Sequence, residues 1–192
     1  MGKYIIYSDG AATMRKVDGE YVREAGGFAF VMLNENEEVI MSAYGGIPET
    51  TNNRMELQAI NRALRKLVFM KIAGEKVEVY SDSAYCIGIF TSWIKSWKAN
   101  GWTRGKKHEP IENVDIIKEI DESISILNKN FCEVEFIKVK GHANVKWNEY
   151  VDRCAVQGKL RSGSQNCRLY IEGYYFDENG KDTQRDDFDK IR

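Results

Sequence analysis

The sequence predicts an α/β fold in which a mixed sheet is flanked by helices. Three observations carry that expectation. Two apolar runs, residues 3–8 and 76–81, both end in Tyr-Ser and are followed at once by a carboxylate, Asp9 and Asp82. The first run opens a series of three strand-like segments. From residue 52 onward, segments of helical period alternate with strands. A sheet with helices packed on it is the architecture that such an order builds.

Residues 3–8 are the first strand, stopped at Asp9-Gly10. A charged loop holding Lys16, Asp18, Glu20, Arg23 and Glu24 follows and closes at Gly26-Gly27. Residues 28–33 form a buried strand, 34–37 a turn, and 39–44 a third strand, paired with the second as a hairpin. Met55, Ala59, Ile60, Ala63, Leu64, Leu67 and Val68 recur with helical period, and residues 50–53 offer caps for that helix. The Asp82 strand comes next, then a helix from about residue 83 to 97. Residues 95–107 hold Lys95, Lys98, Arg104, Lys106 and Lys107 without an acid, with Trp93, Trp97 and Trp102 interleaved. Val114, Ile117, Ile120, Ile124 and Leu127 mark another amphipathic helix, and residues 132–139 alternate as a strand. Residues 140–143 are a loop, and 146–159 a last helix carrying Glu149 and Asp152. Residues 161–164 read as a linker. Beyond it, a small hairpin turning at Glu172-Gly173 precedes a polar, poorly ordered end over 177–192. The domain expectation is therefore a main unit over 1–160 and an extension over 161–192, detachable near residue 160.

With 192 residues, 43% hydrophobic and 30% charged, the chain has the composition of one globular domain with an appendage. No apolar run is long enough to cross a bilayer, and the first residues lack a secretory signal. Cys86, Cys132, Cys154 and Cys167 form no CxxC pair, so they read as reduced packing residues in a cytoplasmic protein. A net charge of −1 leaves nucleic acid open as a partner, because local charge decides that question.

If the two Tyr-Ser-Asp strands are parallel neighbours, they lie about 4.8 Å apart. Asp9 and Asp82 then emerge together at the carboxyl edge of the sheet, where open α/β sheets bind ligands. Adjacent carboxylates repel unless one is protonated or a cation lies between them. Each acid also has a bland reading. Glu56 completes a capping box with Asn53, Asp82 caps the helix that follows it, and Asp152 is a solvated helix residue. His142 is either a surface residue of a Gly-rich loop or a mobile proton carrier. His108 belongs to a solvated loop.

Taken together the pieces resemble the type 1 ribonuclease H family. The matching blocks are YSDGA at 7–11, TTNNRMEL at 50–57, SDS at 81–83, WIKSWK at 93–98, GW at 101–102, NVD at 113–115, KGHA at 140–143, and Asn148-Glu149 followed by Asp152. They occur in the family's order over residues 3–158. The resemblance implies a ribonuclease H-like fold with a five-stranded mixed sheet of order 3-2-1-4-5. It implies an endonuclease that hydrolyses the RNA strand of RNA/DNA hybrids and leaves 5′-phosphate and 3′-hydroxyl ends. It also implies a catalytic set of Asp9, Glu56, Asp82, His142 and Asp152, in which the four acids hold two Mg²⁺ ions and Mn²⁺ substitutes. Nucleic-acid contacts are expected from Thr51, Asn52, Asn53, Trp93, Lys98, Arg104, Lys106 and Lys107. A monomer acting on hybrid duplexes, with no obligate protein partner and no membrane, completes the expectation.

Two other readings stay open from sequence. One is a nuclease of the same fold acting on double-stranded RNA or a replication intermediate. The other is a non-catalytic duplex-binding module. The chain leaves the family pattern after Gly10, where a short glycine- and proline-containing loop is replaced by a longer charged one. The residues past 160 match no known pattern, and edge covering, dimerisation or dispensability are open to them.

Overall fold

The computed structural model describes residues 2–141, 145–164, 170–176 and 182–184. Its main sheet is built from β1 (Lys3–Val17), β2 (Glu20–Leu33), β3 (Val39–Ile47), β4 (Lys76–Ser81), β7 (Glu133–Lys138), β8 (Tyr170–Phe176) and β9 (Asp182–Gln184). The strand order is β7-β4-β1-β2-β3-β8-β9. Its first five members reproduce the expected five-stranded mixed sheet. β1 pairs antiparallel with β2 and parallel with β4, and β4 is parallel to β7. The two-residue strands β5 (Thr103–Arg104) and β6 (Glu109–Pro110) form a separate ribbon.

Helices cover both faces. On one face lie α1 (Asn52–Met70) and α4 (Val114–Lys129). Their apolar stripes, including Leu57, Ile60, Leu64, Ile117 and Ile120, bury against Ile6, Phe30 and Val79. On the other face α5 (Lys146–Ser164) places Val151 and Ala155 over Ile5, Val31 and Leu33. Phe28–Leu33 are completely buried because β2 is covered from both sides, which is why that segment reads as a continuous apolar run.

α5 crosses the sheet backbone against backbone. A Cβ on Gly27 would fall on the Ala155 carbonyl oxygen and the Lys159 nitrogen, and one on Gly158 would fall on the Gly45 carbonyl oxygen. Glycine is required there for close approach, and the contact fixes α5 against β2 and β3.

Four sequence expectations are corrected. The charged loop over 12–25 is a continuation of the β1–β2 hairpin, closed by Asp18 and Gly19 with φ of 50° and 91°. Asp-Gly supplies the two positive φ values that a tight primed turn demands. The helix expected over 83–97 is divided into α2 (Ala84–Gly88), a π-helical stretch Ile89–Trp93 and α3 (Ile94–Ala99). Residues 161–164 are not a linker: α5 runs through Ser164, and Ser162 is buried beside Gly46. Tyr170–Phe176 is one strand with no turn at Gly173, and it pairs antiparallel with β3 from Met41 to Gly46 before β9 folds back. The pairing satisfies backbone groups that β3 would otherwise expose as a sheet edge. Residue 160 therefore lies within a helix. A cut there should lower the melting temperature measurably, and a chain truncated at 160 that melts like the parent would contradict this.

Candidate active site

The pairing of β1 with β4 runs from Lys3–Lys76 to Tyr7–Tyr80. Carried two residues further, the register sets Asp9 beside Asp82. β4 ends there, at its carboxyl edge, whereas β1 runs on past Asp9 paired with β2 alone. Glu56 comes from the first turns of α1. Asp9, Glu56 and Asp82 each offer a carboxylate oxygen, and these lie within 4.8 Å of one another.

The caps explain why these acids are available. The N-cap of α1 is Thr51, whose side chain accepts from the Arg54 nitrogen at 3.3 Å. Glu56 is thus too deep in the helix to close a capping box. Ser83, not Asp82, caps α2 by accepting from the Cys86 nitrogen at 3.3 Å. The bland readings of Glu56 and Asp82 as caps do not hold.

The close approach of α1 to β1 depends on Gly10, where a Cβ would collide with the Glu56 nitrogen and come 2.6 Å from the Met55 carbonyl carbon. Gly10→Ala should push Glu56 away from Asp9. Because a displacement of about 1 Å can cost about a hundredfold in rate, a loss of that order is expected. A steady-state cleavage assay checks it, and unchanged turnover would contradict the close-approach account.

Asp9 and Glu56 are nearly buried, at 7% and 5% exposure. Burial, followed by the charge of Asp82, pushes the Asp9 carboxyl up to about 7, although the Gly10 N–H donating to its Oδ1 at 2.7 Å opposes the shift. Burial and then the Asp9 and Asp82 charges push Glu56 well above the usual carboxylate range. Two carboxyls in this state share protons unless positive charge is supplied.

The site fits hard divalent cations. The clustered groups are all oxygen donors, which suits Mg²⁺ or Mn²⁺ rather than a thiolate-seeking metal. The Glu56 Oε2 and Asn148 Oδ1 atoms are buried and have no protein hydrogen-bond partner. Both residues line the cleft of about 520 Å³ into which the acids open.

Asp152, on α5, lines this cleft too, and its charge adds to the raising of Asp9. It stands outside the tight group of three. Asn52 accepts from the Ala12 nitrogen at 3.1 Å and donates to Glu56 Oε1 at 3.2 Å, so it ties β1 to the α1 acid. Asn53 lines the cleft. Trp93 is 42% exposed and belongs to an aromatic row, 6.4 Å from Tyr85 at the cleft and 5.7 Å from Trp97. Trp97 and Trp102 are half-buried against the core. Lys98 pairs with Asp121 at 2.7 Å and Arg104 with Glu109 at 3.6 Å, whereas Lys106 and Lys107 are exposed between β5 and β6. His108 is exposed and contacts Thr103 at 3.1 Å. His142 lies outside the described residues, although Gly141 just before it abuts Asp82.

Sequence reasoning missed Asn148, Glu149, Tyr85 and Ser83 as cleft residues. Asn148 is 3% exposed and donates to Asp82 Oδ2 at 3.3 Å. Its signal was present, since positions 148 and 152 stand one helical turn apart on one face of α5.

A family model described as RNase H matches residues 1–159. The chain belongs to the RNase H family. That match spans all four acids and stops before β8. Curated relatives agree with it. Ribonuclease H of Symbiobacterium thermophilum is 36% identical over 166 residues, covering 86% of this chain and 99% of that protein. Ribonuclease H of Syntrophomonas wolfei is 39% identical over 156 residues, covering 81% and 94%. Among solved structures, LC9-RNase H1, a type 1 RNase H with the type 2 active-site motif, superposes with a TM-score of 0.67 at 25% identity, covering 83% of this chain and 73% of that one. LC11-RNase H1, solved in complex with an RNA/DNA hybrid, shares the fold with a TM-score of 0.53 at 24% identity, covering 80% and 97%. As an RNase H, the protein is a nuclease. Among the described residues no helix is long and apolar enough to cross a membrane.

Proposed function

We propose that this RNase H hydrolyses the RNA strand of RNA/DNA hybrids with two divalent cations, leaving 5′-phosphate and 3′-hydroxyl ends. The observation that carries the reading is the Asp9–Glu56–Asp82 cluster, its first two carboxylates buried and the third half-buried, at the mouth of an open cleft. Asp9, Glu56, Asp82 and Asp152 would hold two Mg²⁺ ions, with Mn²⁺ as substitute. Asp9 would serve both ions, Glu56 and Asp82 would supply ligands toward the leaving oxygen, and Asp152 would supply one toward the attacking water. When bound, such ions acidify that water and neutralise charge developing on the leaving oxygen. His142 carries protons or helps product leave.

The chain's own groups supply the rest. Asn52 holds Glu56 and presents its amide beside the cleft, where the 2′-hydroxyl distinguishes RNA from DNA. Asn53 lines the same wall, and Thr51 at the α1 N-terminus faces a phosphate of the DNA strand. Trp93, with Lys98, Arg104, Lys106 and Lys107 beyond it, grips the duplex backbone without sequence preference. Lys98 and Arg104 exchange surface ion pairs for phosphates at little cost, because exposed pairs contribute about 0–1 kcal/mol. The catalytic unit is residues 1–160 together with the end of α5. The residues beyond it cover the β3 edge, and the protein acts as a cytoplasmic monomer.

Comparing RNA/DNA, RNA/RNA and a single ribonucleotide within duplex DNA tests the substrate. Mg²⁺-dependent cutting of the RNA strand in the hybrid, at least tenfold faster than in either other duplex, is the expected result. Faster cutting of RNA/RNA would transfer the assignment to a nuclease for double-stranded RNA. Hybrid binding without any metal-dependent cutting would leave only a duplex-binding module.

A further inference from the structure

Beyond the cleft, the β1–β2 hairpin continues as a free two-stranded arm from about Ala12 to Ala25, exposed from Thr13 to Arg23. Its register pairs Met14 with Arg23 and Lys16 with Tyr21. Directly opposed residues share a face of the ribbon. Met14, Lys16, Tyr21 and Arg23 therefore form one face, and no carboxylate is among them. Tyr21 is 71% exposed and Met14 57%. The Lys16 ammonium stands 5.9 Å from the Tyr21 ring centre. The opposite face carries Val17, Glu20, Val22 and the Arg15–Glu24 ion pair at 2.8 Å. Positive charge on that second face is neutralised internally.

The acid-free face begins on the α1 side of the sheet. Ala12, two residues before Met14 on the same strand, packs with Met55 and Ala59 of α1. The arm's base is tied to α1 by the Ala12 nitrogen on Asn52, and to the segment leading into α1 by the Thr50 nitrogen donating to the Glu24 carbonyl at 3.1 Å. The arm is thus fixed beside the cleft wall formed by Asn52 and Asn53. At about 3.3 Å per residue, Lys16 lies roughly 23 Å from Asp9 along β1.

We propose that this face of the arm is a second duplex contact, in which Lys16 and Arg23 meet backbone phosphates and Tyr21 packs on the sugar–phosphate wall beyond the cleft. The inference rests on the hybrid reading of the cleft, and it names nucleic acid as the occupant on charge and continuity. Cations free of acids and beside an aromatic suit a polyanion.

Salt dependence of binding, measured without divalent metal so that no cutting occurs, tests it. With two phosphate contacts removed, Lys16→Ala/Arg23→Ala should flatten the slope by about two. Parent and variant would then differ about twelvefold in how much affinity is lost between 50 and 200 mM salt. The difference should appear on a hybrid of about 24 base pairs. It should vanish on one of about 6, which at about 3.4 Å per pair is about 20 Å long and cannot span from Asp9 to Lys16. Arg15→Ala, on the ion-paired face, should leave the slope as in the parent. Equal slopes for parent and double variant on the long hybrid would overturn the proposal. So would an equal effect from Arg15→Ala, or a change in oligomeric state in place of a change in slope. If the slope difference is found but the parent does not cut hybrids, the ribonuclease reading fails and the arm contact stands.

Discussion

Asp9→Asn is expected to abolish metal-dependent cleavage, by a thousandfold or more, while making the metal-free protein more stable at pH 8. Loss of a ligand that both cations would use removes several kcal/mol of transition-state stabilisation, and each factor of ten corresponds to about 1.4 kcal/mol. The gain in stability follows from linkage. The ordinary carboxyl value is 3.8, and in the fold burial and Asp82 hold Asp9 at about 7. A group raised in the folded state favours folding only while protonated. Metal-free stability should therefore fall as pH rises from about 4 through 7, and level off above. At pH 8 the whole penalty is present, roughly 2–4 kcal/mol, and asparagine removes it. The variant should melt roughly 5–10 °C above the parent without metal. Millimolar Mg²⁺ or Mn²⁺ should raise the parent's melting temperature and leave the variant's nearly unchanged. A variant that melts at or below the parent in EDTA at pH 8 would contradict the buried, mutually repelling cluster.

Gly158→Ala should be among the most destabilising single-methyl additions in the chain. In an exposed helix, alanine for glycine stabilises by about 1 kcal/mol. Here the added Cβ falls on the Gly45 carbonyl oxygen, so α5 must lift from β2 and β3. Overpacking of this kind costs about 1–3 kcal/mol, or roughly 2–12 °C in melting temperature for a domain of this size. Cleavage should fall as well, because Asp152 and Asn148 ride on the same helix. Thermal denaturation decides the sign, and a rise in melting temperature would show that α5 does not sit backbone to backbone on the sheet.

Much of this arrangement is legible in the chain. The repeated Tyr-Ser-Asp stretches fix the β1–β4 register, and with it the pairing of Asp9 and Asp82, because the same three residues close the stretch over which the two strands pair, although β1 itself continues to Val17. The family blocks bring Glu56 and Asp152 to the cleft. What sequence did not yield depends on partners distant in the chain. Asn148 gains its meaning only from Asp82, 66 residues earlier. Local composition marks the stretch around Tyr170–Phe176 as β-forming, but that it is one strand lying on the β3 edge, and not a hairpin of its own, depends on β3. The arm is different, since its signal was local: Asp18-Gly19 between alternating residues is a hairpin turn, masked by the charges around it. Its charges alternate by face, and a linear count of charge averages that distinction away.

The most direct test of the metal-dependent nuclease centre is one cleavage reaction. A hybrid labelled on its RNA strand is incubated with the full chain, with Mg²⁺ or with EDTA, in parallel with Asp82→Asn. The predicted result is endonucleolytic cutting of the RNA strand in Mg²⁺ only, fragments with 5′-phosphate and 3′-hydroxyl ends, and at least a hundredfold loss in the variant. Cutting that persists in EDTA, or a variant as active as the parent, would contradict it.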